Sequence, residues 1–492
     1  MIDISITLYI LEGGFLTYIH YGFISCVQKM VKHHERTLFI FRRDLRLADN
    51  SALINALATS NQVIPCFVFD PRLLDHPRPH LNAIQFLSAT LRDLDVQLQQ
   101  KGTRLHCFSG LAEKVLESLL AAKAADAIFL NRDYSPFSRR RDEKIRAACE
   151  QTDVVFQQFA DALLNEPESV LKTDGTPYRV FTPFFNQASQ IPVPLPKTNH
   201  HRNYGTLDSN MAQSLATALK KRNLMSQKSL FVEESRAACQ AILEDLVSYQ
   251  DYEKTRDLPG LPGTTRLSPY LKFGLCSIRE VYEAIRKQLG QAHPLIRQLY
   301  WRDFYTHIAY HFPHVFTKAF KPRYEQLEWN YDKILFQTWC EGRTGFPIVD
   351  AGMRELVATG WMHNRVRMIV ASFLTKDLHI NWRLGERFFA KHLLDYDPAV
   401  NNGNWQWSAS TGADAQPYFR IFNPWSQQEK YDKNCAYIKQ WIPELIDLEP
   451  KSIHLWYKST PTDSQITYPK PIVDHKTESQ YSKQLYASTY QP

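Results

Sequence analysis

From Thr37 the chain alternates short apolar runs with amphipathic stretches. Residues 38–41, 63–69, 105–108 and 128–130 are continuous apolar segments of strand length, which predicts strands covered on both faces. Between them, apolar positions recur at helical spacing over residues 49–58, 82–100, 111–123 and 138–150. Strands that alternate with helices give βαβ units and a parallel sheet, so residues 36–164 are expected to form a doubly wound α/β domain. Residues 165–229 carry Pro167, Pro177, Pro183, Pro192, Pro194 and Pro196 among Asn, Thr, Ser and Lys, the composition of a long inter-domain connection. From residue 230 to 475 the periods are helical without strand pairs, which predicts an all-α domain, and a short tail, 476–492, follows.

A length of 492 residues exceeds what one hydrophobic core supports, which agrees with two domains. The first 35 residues read as a leader. Its apolar run is interrupted by Asp3, Glu12 and Gly13-Gly14, lacks a basic start, and falls short of the ~20 residues of a membrane helix. Met30 directly precedes the first basic-polar stretch and is the expected natural start. Eight cysteines without a C-x-x-C pair indicate neither a zinc site nor a disulfide framework, and point to a reducing cytoplasm. The net charge of +7 permits a polyanionic partner. Aromatic residues, at 13%, are the compositional outlier.

The aromatic excess is concentrated where chemistry is expected. Between Gly360 and Pro424, tryptophans alternate with amides, arginines and carboxylates, whose burial is costly unless each finds a partner. A large, polar, aromatic ligand would satisfy them together. No G-x-G-x-x-G follows the first strand, where Arg42-Arg-Asp-Leu-Arg-Leu47 stands instead, so a dinucleotide must bind elsewhere. Gly260 to Pro269 offers glycines, threonine hydroxyls and Arg266 ahead of a Ser-Pro helix start, which suits a phosphate seat and equally an ordinary serine-capped loop. Gln298, Trp301, Arg302 and Tyr305 fall at i, i+3, i+4 and i+7, which places them on one helical face, and Asn364 meets Met368 at i+4. Asp395 and Asp397 would repel unless a cation such as Arg367 or a ligand donor lies between them. A paired-carboxylate hydrolase is a further reading of these acids, although no nucleophile or metal-ligand set accompanies them. Trp329, Trp382 and Trp405 each sit in helical stretches and are either packing residues or members of a stacked chain.

Taken together, Phe41 to Asn50 (FRRDLRLADN), Thr264 to Ser268 (TTRLS), Trp301 to Tyr305 (WRDFY), Thr344 to Asp350 (TGFPIVD), Gly360 to Arg365 (GWMHNR) and Asn401 to Trp407 (NNGNWQW) resemble the DNA photolyase and cryptochrome family. The resemblance runs from Thr37 to His475 and is nearest to the class I cyclobutane pyrimidine dimer photolyases. It implies an antenna-binding α/β domain and a helical domain that encloses FAD and binds DNA. Carried onto matching positions, FAD would be held by Tyr252, Thr264, Thr265, Arg266, Leu267, Ser268, Arg302, Tyr305, Arg367, Asp395, Tyr396, Asp397 and Asn401. Asn401 would face the flavin N5, where a neutral amide cannot readily donate a proton. Trp405, Trp382 and Trp329 match the family's electron-transfer triad.

The resemblance also implies the reaction: an electron from excited reduced FAD splits a cyclobutane pyrimidine dimer and then returns. The dimer and its strand would meet Arg256, Gln298, Trp301, Asn364, Arg365, Met368, Trp407, Arg420 and Gln427, with Trp301 and Trp407 stacking on a flipped-out lesion. Enzymes for (6-4) photoproducts carry histidine at the positions of Asn364 and Met368, which argues for cyclobutane repair. Gln298 departs from the glutamate usual in the cyclobutane group, which leaves open a (6-4) photolyase and a cryptochrome-type receptor without repair. Cryptochromes commonly add a long C-terminal extension, and this tail is short. The antenna is methenyltetrahydrofolate or 8-hydroxy-deazaflavin, or its pocket is empty; folate binders show Asn-Glu where Phe137-Ser138 stand here. Arg139 to Arg141 read as a solvated charge run. The expected partner is UV-damaged DNA, met by a cytoplasmic monomer with no metal, membrane or obligate protein partner.

Overall fold

The computed structural model describes residues 33–74, 81–224, 231–458 and 467–490. The leader and the start at Met30 therefore fall almost wholly outside the described residues. The apolar runs form a five-stranded, all-parallel sheet in the order β3-β2-β1-β4-β5. Its strands are β1 His34–Phe41, β2 Ser60–Phe69, β3 His106–Ser109, β4 Ala127–Asn131 and β5 Val155–Phe159. Phe39 pairs with Pro65 on one side and Phe129 on the other, so β1 is covered on both edges as well as both faces. Helices Ser51–Thr59, Leu81–Gln99, Ala112–Ala121 and Pro136–Gln151 follow the predicted periods.

The strand order reverses between β1 and β4, the crevice where doubly wound sheets usually take a ligand. Here the FRRDLRLADN loop fills it with its own polar contacts. Asn131 Nδ2 donates to Asp44 Oδ2 (2.5 Å) and Asn50 Oδ1 (2.8 Å), and Asn50 caps the first helix by accepting from Leu53 N (3.1 Å). The same loop ties the two domains. Arg279 of the helical domain bridges Asp49 (2.9 Å) and Asp161 (2.8 Å), and Arg46 holds Asp161 from within the α/β domain at 2.6 Å, all with little exposure.

Three features differ from expectation. The connection packs against the sheet through bridges Val63↔Tyr204 and Cys107↔Gln213, and it carries the helices Phe181–Ala188 and Leu215–Lys221. The run Arg139 to Arg141 is not uniformly solvated: Arg141 is buried against Asp142 at 2.9 Å, while Arg139 lies 4.5 Å over the Tyr310 ring. The tail is a docked helix, His475–Ser488, whose Tyr486 is buried and donates its hydroxyl to Ala409 O (2.7 Å). Beyond residue 230 the chain is helical, with a second core around Trp339, Trp382, Trp405 and Trp456. Among the described residues no helix is long and apolar enough to cross a membrane.

Candidate functional site

A cavity of about 330 Å³ opens within the helical half, with Arg43 of the α/β domain in its wall. Gly263 makes the near wall possible: a Cβ there would sit 2.7 Å from Thr255 O, so only glycine lets the 260s loop lie against the helix Tyr252–Thr255. Arg266 then takes a left-handed backbone (φ +52°), which turns the loop so that Thr264, Thr265, Arg266, Leu267 and Ser268 all line the cavity. The short helix Ser268–Phe273, with Pro269 in its first turn, leads away from it and stops at Gly274 (φ +70°).

The opposite wall is charged and paired. Arg367, on helix Asn364–Ser372, grips Asp395 with both terminal nitrogens (3.2 and 2.9 Å) and donates through Nε to Met362 O (2.8 Å). Ser268 Oγ donates to the same carboxylate at 2.6 Å, which joins the loop to the far wall. Asp397 caps helix Pro398–Ser408 through Ala399 N (3.0 Å) and Val400 N (3.2 Å) and meets Arg43 at 2.6 Å. Burial opposes ionisation of Asp397, but Arg43, Lys272 and Arg302 outweigh it and hold the carboxyl well below the usual range. Lys272 is itself pushed down to about 8 by burial and by the like charge of Arg43. Arg302 reaches across to Ala162 O at 2.5 Å.

Asn401 follows one turn after the Asp397 cap. Its Nδ2 donates to the backbone oxygen (3.2 Å) and Oε1 (2.9 Å) of Glu386, so the amide orientation is fixed by two acceptors. Burial raises the Glu386 carboxyl, which also meets Tyr396. At the mouth, Asn364 Nδ2 lies 3.7 Å from Met368 Sδ, the i, i+4 contact expected from spacing. His363 caps their helix by accepting from Arg365 N on Nδ1 (3.2 Å), which requires a neutral ring; burial lowers its pKa to about 4. Tyr252, Arg256 and Gln298 complete the rim, with Arg256 5.5 Å over the Tyr252 ring.

The helix Pro294–His311 corrects the one-face reading. Leu295, Gln298, Leu299 and Arg302 line the cavity, whereas Trp301 and Tyr305 do not. The Trp301 ring is stacked on Phe181 of the connection, centroids 3.6 Å apart at 6°, which takes one of its two faces. Tyr305 is buried against Gly403, where any Cβ would fall 2.1 Å from its ring. Trp407 is partly exposed, two residues on from the cavity-lining Trp405 and so on the far side of its helix, and is not itself in the wall. Arg365 sits beside the mouth, paired with Asp257 (2.8 Å) and lying 4.5 Å over Tyr431. Arg420, exposed, and Gln427, partly buried, lie outside the lining.

Trp405 joins the cavity to the second core, where Trp339 stands 6.2 Å away edge-on and Phe389 5.0 Å away. Gly385, one turn along the helix Trp382–His392, leaves space for the Trp405 indole, since a Cβ would approach it to 2.2 Å. Trp382 is fully buried, and Trp329 packs edge-on against Tyr486 at 6.4 Å. Sequence reasoning missed Arg43, Lys272, Asp257 and Glu386. The Arg42-Arg-Asp44 run reads as a family signature and as the replacement for a glycine-rich turn, and spacing carries no signal that it crosses to the cavity.

A large, open-mouthed cavity walled by arginine–carboxylate pairs and tryptophan, shared by an α/β and a helical domain, is the architecture of a protein that holds an anionic aromatic cofactor. Comparison with known proteins names it. Residues 37–199 match the family model for DNA photolyase, and residues 295–488 match that for the FAD binding domain of DNA photolyase. A deoxyribodipyrimidine photo-lyase of Synechococcus sp. is 38% identical over 91% of this chain and 96% of its own. An archaeal photolyase from Sulfolobus tokodaii, solved with two FAD molecules, is 42% identical with a TM-score of 0.83, covering 92% of this chain and 100% of its own. A cryptochrome of Synechocystis sp. is 26% identical with a TM-score of 0.82 over 92% of this chain and all of its own. The chain belongs to the DNA photolyase family, and its cofactor is FAD.

Proposed function

We propose that this protein repairs cyclobutane pyrimidine dimers in DNA by light-driven electron transfer. The observation that carries the reading is the Asn364–Met368 pair at the cavity mouth, 3.7 Å apart and without a histidine at either position, above the Arg367–Asp395 wall. Bound FAD supplies reversible, light-driven electron donation. The chain's own groups hold and shield it: the 264–268 loop takes the pyrophosphate, Arg367 and Asp395 fix the flavin edge, and Asn401 presents an amide whose nitrogen is already engaged by Glu386. Tyr252, Arg302, Tyr396 and Asp397 complete the FAD contacts. Gln298, on the wall, hydrogen-bonds the pyrimidine edges in place of a glutamate. Trp405, Trp382 and Trp329, all buried, are the residues that would carry electrons from an external reductant toward bound FAD.

Damaged DNA approaches the mouth between Arg256 and Arg365, with Arg420 and Gln427 farther out on the strand path. Phosphate contacts supply affinity with little sequence preference. Phe181 takes one face of Trp301, so the lesion stacks on its remaining surface and on Trp407, with Met368 adding a contact from the mouth. The protein acts as a cytoplasmic monomer without an obligate protein partner. Its antenna is a folate or a deazaflavin, with a second FAD, as in the Sulfolobus relative, joining the candidates. Gln298 and the likeness to the Synechocystis cryptochrome favour a competing reading, a blue-light receptor without repair. Competition binding of the FAD-loaded protein to duplexes with a cyclobutane dimer, a (6-4) photoproduct or no lesion separates the readings. The dimer duplex is expected to bind best, and Met368→His to lose that preference; equal binding to all three duplexes contradicts lesion recognition.

A further inference from the structure

The flavin cavity is closed by a residue that the helical domain does not supply. Arg43 follows β1 of the α/β domain, yet its side chain lines the cavity and its Nη2 lies 2.6 Å from Asp397 Oδ2. The other ion pairs between the domains, Arg279–Asp49 and Arg279–Asp161, have no side chain in that wall. The approach is built into the backbone. Leu45 N donates to Phe273 O at 3.0 Å, and Gly274 lies so close to the loop that a Cβ would meet Arg43 O at 2.4 Å. The loop is thus pressed onto the helix that leads away from Ser268.

Asp397 is held from two sides, Oδ1 on the helix start at Ala399 and Val400 and Oδ2 on Arg43. Rotation of this carboxylate would shift the helix that carries Asn401 and Trp405. Charge gives Arg43 a second effect. Arg43, Lys272 and Arg302 face Asp397, while Asp133 lies 3.7 Å from Arg43, so removal of Arg43 removes the excess positive charge from the wall of an anionic cofactor's site.

We infer that Arg43 is a cross-domain positioning residue of the flavin site, which holds Asp397 and sets both the retention and the reduction potential of FAD. The inference rests on FAD filling this cavity, and titration of the wild-type apoprotein with FAD tests that premise separately. The test compares full-length Arg43→Gln, Arg43→Lys and Arg43→Gln/Asp397→Asn with wild type in FAD dissociation constant and flavin midpoint potential. Arg43→Gln is expected to weaken FAD more than tenfold and to lower the potential; Arg43→Lys recovers part of both, and Asp397→Asn in the Gln background returns the potential toward wild type. If Arg43→Gln proves too unstable to purify, Arg43→Lys decides, by a smaller shift of the same sign. Affinity and potential within twofold and within error of wild type overturn the inference. A loss of thermal stability without a change in potential also overturns it, and reduces Arg43 to a domain brace.

Discussion

Replacing Arg367 by methionine keeps the aliphatic stem and removes the charge that faces Asp395. The change deletes two charge-assisted hydrogen bonds (3.2 and 2.9 Å) and a third to Met362 O (2.8 Å). It leaves Asp395, only 6% exposed at its side chain, with Ser268 as its remaining partner. Breaking a fully buried pair costs about 3–5 kcal/mol. Arg367 is 25% exposed, so water screens part of the loss and about 2–3 kcal/mol is expected. Both side chains face the cofactor, and that energy corresponds to roughly 30- to 150-fold weaker FAD binding. The assay is FAD titration by fluorescence, run in parallel with thermal unfolding of the apoprotein, for Arg367→Met, Asp395→Asn and the double variant. The double variant should be better than the sum of the singles by about 2 kcal/mol, because it leaves no unpaired carboxylate. Additive losses, or an Arg367→Met protein that binds FAD like wild type, would refute the pair's role in the site.

Glu355, just behind the cavity wall beside Arg266 and Arg367, offers a pH test. It is buried beneath the Tyr437 hydroxyl (2.6 Å), and burial raises its carboxyl to about 7. Because the folded state holds the proton more tightly, its stability is fully present below the unfolded pKa and is lost as pH rises toward 7, on the order of 2–3 kcal/mol. Glu355→Gln should therefore flatten the dependence of melting temperature on pH between about 4.5 and 7; an unchanged slope rejects the assignment. Gly385→Ala drives a methyl into the Trp405 ring and should cost about 1–3 kcal/mol, read by thermal unfolding and by altered tryptophan fluorescence; a wild-type melting temperature contradicts the packing. Raising salt should weaken DNA binding steeply while flavin content stays constant, and a flat response would count against phosphate-led contact.

What was legible in the sequence follows from how local each signal is. The strands β1 to β4 were readable because their apolar runs are continuous. The edge strand β5, Val-Phe-Gln-Gln-Phe, alternates and half-exposes its residues, so it looked like a domain end. The connection's path along the sheet rests on backbone bridges at Tyr204 and Gln213, which leave no side-chain pattern. In the site, Asn364 with Met368 and Arg367 with Asp395 were legible because they lie in one polar, aromatic segment. Helical spacing placed Trp301 beside Gln298 but could not show that Phe181, distant in sequence, covers its ring. Arg43 was hidden for the same reason, since its partner Asp397 belongs to the other domain.

Repair itself is read by a blue-light assay on an oligonucleotide with a single cyclobutane thymine dimer, using the photoreduced, FAD-loaded protein and a dark control. Light-dependent restoration of the thymines is expected despite Gln298. Flavin photoreduction without any restored thymine would contradict it, and would move the protein to a different lesion or to light signalling.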